Sequence, residues 1–221
     1  RGMSMRVVHV SEYVHTRSTG GTERYILELI RELRRDGIQG AIGWLTPGAR
    51  GEPFEDAEGI PVVPLPAGDM RVDPPPAELP HEVESLLDRF KPDLLHFHTF
   101  GCSEAAVAAV AHGRGIPYVF TYHSPAWSCR RETLLRWGRV VCDGEVRPWR
   151  CSICKLQERL ACPRWLAWSG AMLSVAGAGL GRLAGARWRR RTAFVRDTRR
   201  LRDALRVFLR QAAGTVACCD W

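Results

Sequence analysis

The sequence predicts an α/β fold in which a mostly parallel sheet carries helices on both faces. Short apolar runs rich in β-branched residues, typical of strands buried on both sides, alternate along the chain with longer amphipathic or alanine-rich segments. With 45% hydrophobic and 25% charged residues, the 221-residue chain also has the composition of a globular protein and not of a disordered or fibrous one.

The first of these runs, RVVHVS at residues 6–11, predicts a buried parallel strand. A polar loop follows at 12–21, and residues 22–36 then place apolar side chains on one helical face, opposite Arg and Glu. Gly37 stands just past this segment, where helices commonly end. A strand, a glycine turn and a helix in this order open a Rossmann-like unit.

The same alternation continues to residue 123 and resumes near the C-terminus. We expect further strands at 41–45, 60–63, 94–98, 118–123 and 215–219, and helices at 81–90, 103–112, 166–185 and 188–210. Between residues 124 and 163, Trp, Pro and Cys interrupt any period. The prediction is therefore one Rossmann-like domain over 1–221 that contains a Cys-rich insert at 124–165.

The net charge of +8 is unevenly spread, because residues 156–221 hold 13 Arg against 4 acidic residues. The Arg-rich helix at 188–210 could bind phosphates of nucleic acid or of anionic lipid, although a solvated face is the usual role of such charges. Residues 165–188 could lie at a membrane interface. The sequence has no apolar run long enough for a membrane-spanning helix, and its N-terminus lacks the organisation of a signal peptide.

Gly20 and Gly21 form the turn between the first strand and the first helix. Without a Cβ, glycine lets the backbone approach a ligand, and a helix N-terminus presents unpaired N–H groups to an anion. A phosphate of a nucleotide-linked substrate would fit there, and an ordinary flexible turn is the alternative. Neither a dinucleotide GxGxxG nor a Walker GxxxxGK[ST] motif is present, which argues against a dehydrogenase or an NTPase.

Three histidines occur in or at the end of predicted strands: His96 and His98 in LLHFH, and His123 at the end of YVFTYH. Since ligands of open α/β sheets bind beyond the carboxyl ends of the strands, His98 and His123 are expected at the binding edge. His96 lies deeper and is expected to be a hydrogen-bonded core residue. An imidazole at His123 could polarise a substrate hydroxyl or accept its proton near neutral pH.

Four cysteines in the insert have the spacing C-x12-C-x8-C-x2-C: Cys129, Cys142, Cys151 and Cys154. The last two form a short chelating pair, and two distant thiolates would complete a tetrahedral zinc site that supplies folding energy to a segment with little apolar period. Four thiolates also suit an iron–sulfur cluster, and unliganded or oxidised cysteines are the third possibility.

These motifs together resemble the N-terminal domain of glycosyltransferase family 4. The resemblance rests on RVVHVSEYVHTRSTGGTERYILELIRELRRDG, on PDLLHFHTFG and on GIPYVFTYHS. The tail at 191–221 looks like the helix and strand that close that domain. The cysteine segment is similar to an insert found in a subset of these enzymes.

The resemblance implies a GT-B enzyme of the hexosyltransferase type, with two Rossmann-like domains, that transfers sugar from a nucleotide-sugar donor with retained anomeric configuration. It implies that Gly20 and Gly21 approach the donor phosphate and that His123 is catalytic. The substrate would be lined by Glu12, Thr19 and His98. The acceptor would be a glycan or lipid-linked molecule of surface polysaccharide or glycolipid synthesis.

The family's donor-binding domain, with its pair of glutamates, has no counterpart in residues 1–221. We therefore expect the acceptor-side half of a longer enzyme, inactive without its C-terminal domain, located in the cytoplasm or at the inner face of the membrane. The competing interpretation is a zinc-stabilised binding module for nucleic acid, a protein partner or an anionic membrane surface.

Overall fold

The computed structural model describes residues 4–12, 20–49, 52–56, 58–69, 71–180 and 193–217. The chain divides into two compact units. The first consists of Arg1–His123 with Arg206–Trp221, and the second of Ser124–Leu205. The second unit thus begins at residue 124, where the sequence predicts the start of the Cys-rich insert.

Strands and helices alternate through most of the described chain. The strands are β1 (Arg6–Ser11), β2 (Gln39–Pro47), β3 (Phe54–Glu55), β4 (Pro61–Ala67), β5 (Leu94–Phe97), β6 (Tyr118–Tyr122), β7 (Leu135–Arg136), β8 (Val140–Val141) and β9 (Gly214–Ala217). The helices are α1 (Gly21–Arg35), α2 (Leu79–Phe90), α3 (Cys102–Gly113), α4 (Pro148–Leu160), α5 (Arg164–Leu180) and α6 (Phe194–Gln211), with a 3-10 turn at Pro125–Trp127.

The first unit is built on a seven-stranded sheet in the order β3-β4-β2-β1-β5-β6-β9. Among the described pairings of this sheet, β3 with β4 is antiparallel and the others are parallel. Without the short edge strand β3, the order is the 3-2-1-4-5-6 of a dinucleotide-binding sheet, whose order reverses between β1 and β5. The Rossmann-like α/β fold predicted from the sequence is confirmed.

Burial of apolar side chains on both faces of the sheet explains why these segments form these elements. Val8 and Val10 of β1 are fully buried, and Ile26 and Ile30 of the amphipathic helix α1 pack against β2 and β4 in one cluster. The buried Phe208 of α6 packs against aromatic rings of β5, of β6 and of the loop that follows β5. These rings belong to Phe97, Phe100, Tyr118 and Phe120.

The elements without a counterpart in the sequence prediction include β3, α4 and the hairpin strands β7 and β8. The two-residue strand β3 is too short to show an alternating pattern. Helix α4 lies in a segment expected to be irregular, because Pro148 at its start and two cysteines obscure its apolar face. The predicted helices at 166–185 and 188–210 correspond to α5 and α6 where the chain is described, and residues 181–192 lie outside the described part.

The second unit contains the antiparallel hairpin β7–β8 and the helices α4 and α5. Its apolar cluster joins Leu156 of α4, Ala167 and Ala171 of α5 and Val195 of α6. The buried Ser152 hydroxyl donates to the Oγ1 atom of Thr198, 2.9 Å away. Of the helices that the structure describes, none combines the length and the apolar composition needed to span a bilayer.

Candidate active site

Four histidines meet at the carboxyl ends of the central strands of the first unit. Nδ1 of His9, in β1, lies 3.0 Å from Nε2 of His98, which follows β5. Nδ1 of the same His98 lies 3.1 Å from Nε2 of His123, which follows β6. The three rings therefore form a hydrogen-bonded chain that runs from the sheet interior to its edge, beside the point where the strand order reverses.

His96 is the fourth histidine, and it is bound to the neighbouring strand. Its Nε2 lies 2.7 Å from Oγ1 of Thr121 in β6, and its ring centroid is 4.0 Å from that of His98. The sequence predicts a hydrogen-bonded core residue here, and the half-buried ring with its threonine partner has that environment. Ligand nitrogens of His9, His96 and His98 lie within 4.8 Å of one another, close enough for a shared metal ion, although hydrogen bonding between the rings explains the same proximity.

Burial keeps these imidazoles neutral. Desolvation, with a contribution from neighbouring imidazoles, lowers the pKa of His9 to about 3 and that of His96 to about 4. The same causes hold the pKa of His98 well below 6.5, and burial lowers that of His123. A neutral imidazole has one donor and one acceptor nitrogen, so the tautomer of His98 constrains those of both its neighbours.

Tyr25 connects the histidine chain to the start of helix α1. Its ring lies edge-on to His123, with centroids 4.7 Å apart, and 5.9 Å from the ring of His98. At about 1.5 Å of rise per residue, Gly20 and Gly21 are roughly one helical turn from Tyr25. The structure therefore places the predicted glycine turn and His123 at the same edge of the sheet.

The backbone at this glycine turn is accessible on one side. An ideal Cβ at Gly21 would meet nothing within 4 Å, whereas at Gly20 it would collide with the carboxylate of Glu23. Gly20 is the N-cap of α1 and makes no side-chain capping bond. The first turn of α1 thus offers N–H groups, and an acidic side chain folds back beside them.

Two acidic residues lie just beyond β1 and β5: the half-buried Glu12, which follows β1, and the fully buried Glu104, in the first turn of α3. The backbone N–H of Glu12 donates to Oγ1 of Thr99 at 3.1 Å, and the Thr99 hydroxyl donates to Oε1 of Glu104 at 2.5 Å. Burial and the nearby Glu104 raise the pKa of Glu12 to about 8, against the opposing effect of Arg71. Burial likewise raises the pKa of Glu104. The Glu12 carboxyl can therefore hold a proton near neutral pH.

Several residues of this site were missed in the sequence. His9 is directly opposite His96 in the register of β1 with β5, but a lone histidine in an apolar strand carries no signal of that pairing. Tyr25 and Glu104 lie on helices and contact the site only through packing. Of the predicted substrate-lining residues, Glu12 and His98 are both at this edge of the sheet, and Thr19 lies outside the described residues.

The four predicted metal ligands belong to the second unit. A cavity of about 20 Å³ is lined by Cys129, Cys142, Cys151 and Cys154. All four are free thiols. Cys102 is buried at the start of α3 in the first unit.

A second cavity of the first unit, about 460 Å³ in volume, lies at the opposite edge of the sheet, where β1, β2 and β4 begin. Two of its arginines have side-chain partners: Nε of Arg6 lies 4.0 Å from Oδ2 of Asp93, and Arg34 donates to the carbonyls of Glu58 and Gly59. The chemistry described above lies at the carboxyl edge, where ligands of such sheets bind.

A family model of glycosyltransferase family 4 matches residues 19–145, more than half of the chain. The chain belongs to glycosyltransferase family 4. The matched region includes five of the predicted site residues, Thr19, Gly20, Gly21, His98 and His123, and Glu12 precedes it. A role in glycosyl transfer and the GT-B-like Rossmann fold follow from this membership.

The comparison with solved structures includes a UDP-GlcNAc 2-epimerase from Neisseria meningitidis bound to UDP-GlcNAc. The two chains are 10% identical, with a TM-score of 0.31, and the match covers 99% of this chain and 73% of the epimerase. No curated protein sequence matches the chain significantly.

Proposed function

We propose that this family 4 chain is the acceptor-side domain of a retaining glycosyltransferase of the hexosyltransferase type. It acts with a donor-binding domain that supplies most of the nucleotide-sugar site, and the acceptor is a glycan or lipid-linked molecule of surface polysaccharide or glycolipid synthesis. The observation that carries the proposal is the position of His123 at the sheet edge, bonded to His98 and lying against Tyr25 of α1.

His123 is the proposed catalytic residue. Its lowered pKa keeps the imidazole neutral at physiological pH, so one ring nitrogen can accept a hydrogen bond or a proton from a sugar hydroxyl. Nε2 of His123 is bonded to Nδ1 of His98, and this bond fixes the orientation of the His123 ring. The imidazole is therefore positioned to contact the transferring sugar or the acceptor.

Gly20 and Gly21 are the proposed donor phosphate contacts. The first turn of α1 offers backbone N–H groups and the positive end of the helix dipole to a phosphate. Glu12 and Thr19, together with His98, are proposed to line the substrate. The raised pKa of Glu12 allows its carboxyl to donate a hydrogen bond to a sugar oxygen near neutral pH.

The test compares the 221-residue chain with a longer polypeptide that adds whatever its reading frame encodes after Trp221. Both are incubated with a panel of nucleotide sugars and lipid-linked or glycan acceptors, and the anomeric configuration of any product is read by NMR. We expect transfer with retention by the longer polypeptide and none by the 221-residue chain. His123→Ala in the longer polypeptide should lower the rate about 10²–10⁴-fold.

His112→Ala is the matched control, because His112 is exposed at the C-terminal end of α3, near the start of β6 and so at the opposite edge of the sheet from His123. It should leave the rate unchanged. Turnover by the 221-residue chain alone would contradict the assignment as an acceptor-side half. Equal rates for the His123 and His112 variants would show that His123 is not a catalytic residue.

A further inference from the structure

We propose that Cys129, Cys142, Cys151 and Cys154 bind one structural zinc ion in the second unit. This inference does not depend on the proposed sugar transfer, because all four residues lie in Ser124–Leu205 and none belongs to the histidine site. The four side chains line one small cavity, and tetrahedral coordination by four thiolates is the usual structural site for zinc.

The cavity has the size of a single ion. Its volume of about 20 Å³ slightly exceeds the roughly 10–15 Å³ that one water-sized occupant needs. No three of these sulfurs lie within 4.8 Å of one another, whereas zinc holds its sulfurs at about 2.3 Å, so binding must draw the hairpin and α4 closer together. An iron–sulfur cluster also takes four thiolates, and the iron and sulfide content of the purified protein separates the two.

Three separate structural features supply the ligands. Cys129 follows the 3-10 turn, and its N–H donates to the carbonyl of Pro125 at 2.7 Å. Cys142 directly follows β8, so the hairpin β7–β8 lies between the first two ligands. Cys151 and Cys154 are three residues apart in the first two turns of α4 and so share one face of that helix.

Hydrogen-bond donors lie beside two of the four sulfurs, and the thiols of Cys142 and Cys151 lie near oxygen acceptors of Asp143 and Glu145. The backbone N–H of Trp137 donates to Sγ of Cys154 at 3.3 Å, and Nη2 of Arg150 lies 3.9 Å from Sγ of Cys142. Bonds of this kind orient thiolate ligands and reduce their charge in metal sites. They are features that a set of unliganded core cysteines does not require.

The charge around the cavity also suits a filled site. Four thiolates and one Zn²⁺ carry a net charge of −2, and the cavity is lined by Arg130, Arg131, Arg136 and Arg150. Nε of Arg131 and Nε of Arg136 are buried and have no hydrogen-bond partner among the described residues. Thiolate sulfurs would give these donors an acceptor and offset their cost of burial.

Zinc would also explain how the first part of this unit holds its shape. Residues 128–147 contain only two strands, each of two residues, in the described structure. Val140 and Val141 of that hairpin are exposed, at 50% and 80%, so the hairpin contributes little to an apolar core. A metal that links it to α4 would supply folding free energy that the packing lacks.

The experiment measures metal in the 221-residue chain, purified under reducing conditions without added metal. Elemental analysis should find about one zinc per chain and no stoichiometric iron. Replacement of the zinc by Co²⁺ should produce the intense d–d absorption of a tetrahedral thiolate site. This spectrum tests the unmutated protein, so it is informative even if cysteine variants fail to fold.

Cys129→Ser and Cys154→Ser should reduce the zinc content to substoichiometric levels. Cys162→Ser is the matched control, because Cys162 belongs to the same unit but packs at its apolar cluster and does not line the cavity. It should retain the full zinc content. The proposal is overturned by stoichiometric iron with sulfide, by disulfides among the four cysteines in a metal-free protein, or by equal zinc content in all three variants.

Discussion

His98 shares both of its ring nitrogens with other histidines: Nδ1 lies 3.1 Å from His123 and Nε2 lies 3.0 Å from His9. His98 is fully buried, so water does not compete for these bonds. Both ring nitrogens of His98 are therefore occupied. A substitution at His98 should change the orientation or the tautomer of His123, the proposed catalytic residue.

Two substitutions separate the two contacts of His98. An asparagine amide can take the place of Nδ1 and a glutamine amide that of Nε2, so His98→Asn should retain the bond to His123 and His98→Gln should lose it. We expect the ring ¹⁵N shifts of His123, measured by NMR, to move in His98→Gln and to stay near wild type in His98→Asn. The reverse order, or no change in either variant, would contradict the positioning role of His98.

Acid should destabilise the first unit through its buried histidines. The folded-state pKa of His96 is lowered to about 4, below its ordinary 6.5, so between these values the unfolded chain binds more protons. The free energy of unfolding should therefore fall as pH decreases from about 6.5 to 4, by up to about 1.4 kcal/mol per pH unit for this group. Urea denaturation at several pH values measures the slope.

His96→Gln keeps an amide that can bond to Thr121 but does not titrate. Its stability should therefore depend less steeply on pH over this range than that of the wild type. Loss of the His96 charge also reduces the lowering of the pKa values of His9 and His98, which acts in the same direction. Parallel slopes for the two proteins would show that His96 is already protonated when folded.

Glu12 should have the opposite effect at higher pH. Its folded-state pKa is raised to about 8, so the protonated carboxyl stabilises the fold fully below about pH 4.5, and this contribution is lost as pH rises through 8. Glu12→Gln cannot ionise, and its stability relative to wild type should improve by up to about 1.4 kcal/mol per unit from pH 5 to 8. A constant difference between the two denaturation series would refute the raised pKa.

Removal of the acidic side chain at the start of α1 should strengthen phosphate binding. The Glu23 carboxylate lies beside Gly20 and opposes an anion at the same helix terminus. Glu23→Gln should therefore bind UDP about two- to fivefold more tightly, as expected for one charge at a helix end. NMR titration that follows the Gly21 amide measures this affinity.

Glu32→Gln is the control for that titration, because Glu32 is near the other end of α1, paired with Arg35. Its affinity for UDP should match that of the wild type. If Glu23→Gln binds no better than Glu32→Gln, the glycine turn is not the phosphate contact.

Gly40 in β2 should tolerate no side chain, because a Cβ there would lie 2.9 Å from Cγ2 of the buried Ile30. Gly40→Ala is expected to cost about 1–3 kcal/mol of unfolding free energy, and the cost should be smaller in an Ile30→Ala background. Gly113→Ala, with open space around its Cβ, should be neutral or slightly stabilising. Additive effects of the Gly40 and Ile30 changes in thermal or urea denaturation would contradict the predicted collision.

Most elements of the first unit could be predicted from the sequence, because the spacing of apolar residues and the positions of glycines are properties of short segments of chain. RVVHVS predicts β1, the apolar face of residues 22–36 predicts α1, and the ends of LLHFH and YVFTYH predict where His98 and His123 leave their strands. Helix α4 was missed because its buried residues include Ser152 and Cys154, which do not register as an apolar face.

The sequence by itself determined the order of strands and helices, the glycine turn before α1 and the cysteine spacing, since each is a local property of consecutive residues. Only the tertiary structure decided that β1 and β5 are neighbours, which brings His9 to His98 and Glu12 to Thr99. It also decided that four cysteines from a turn, a hairpin and a helix line one cavity. The physical reason is that strand pairing depends on how the whole chain buries its apolar side chains. Residues 89 apart, such as His9 and His98, become neighbours only when the sheet has formed, and no local pattern predicts that contact.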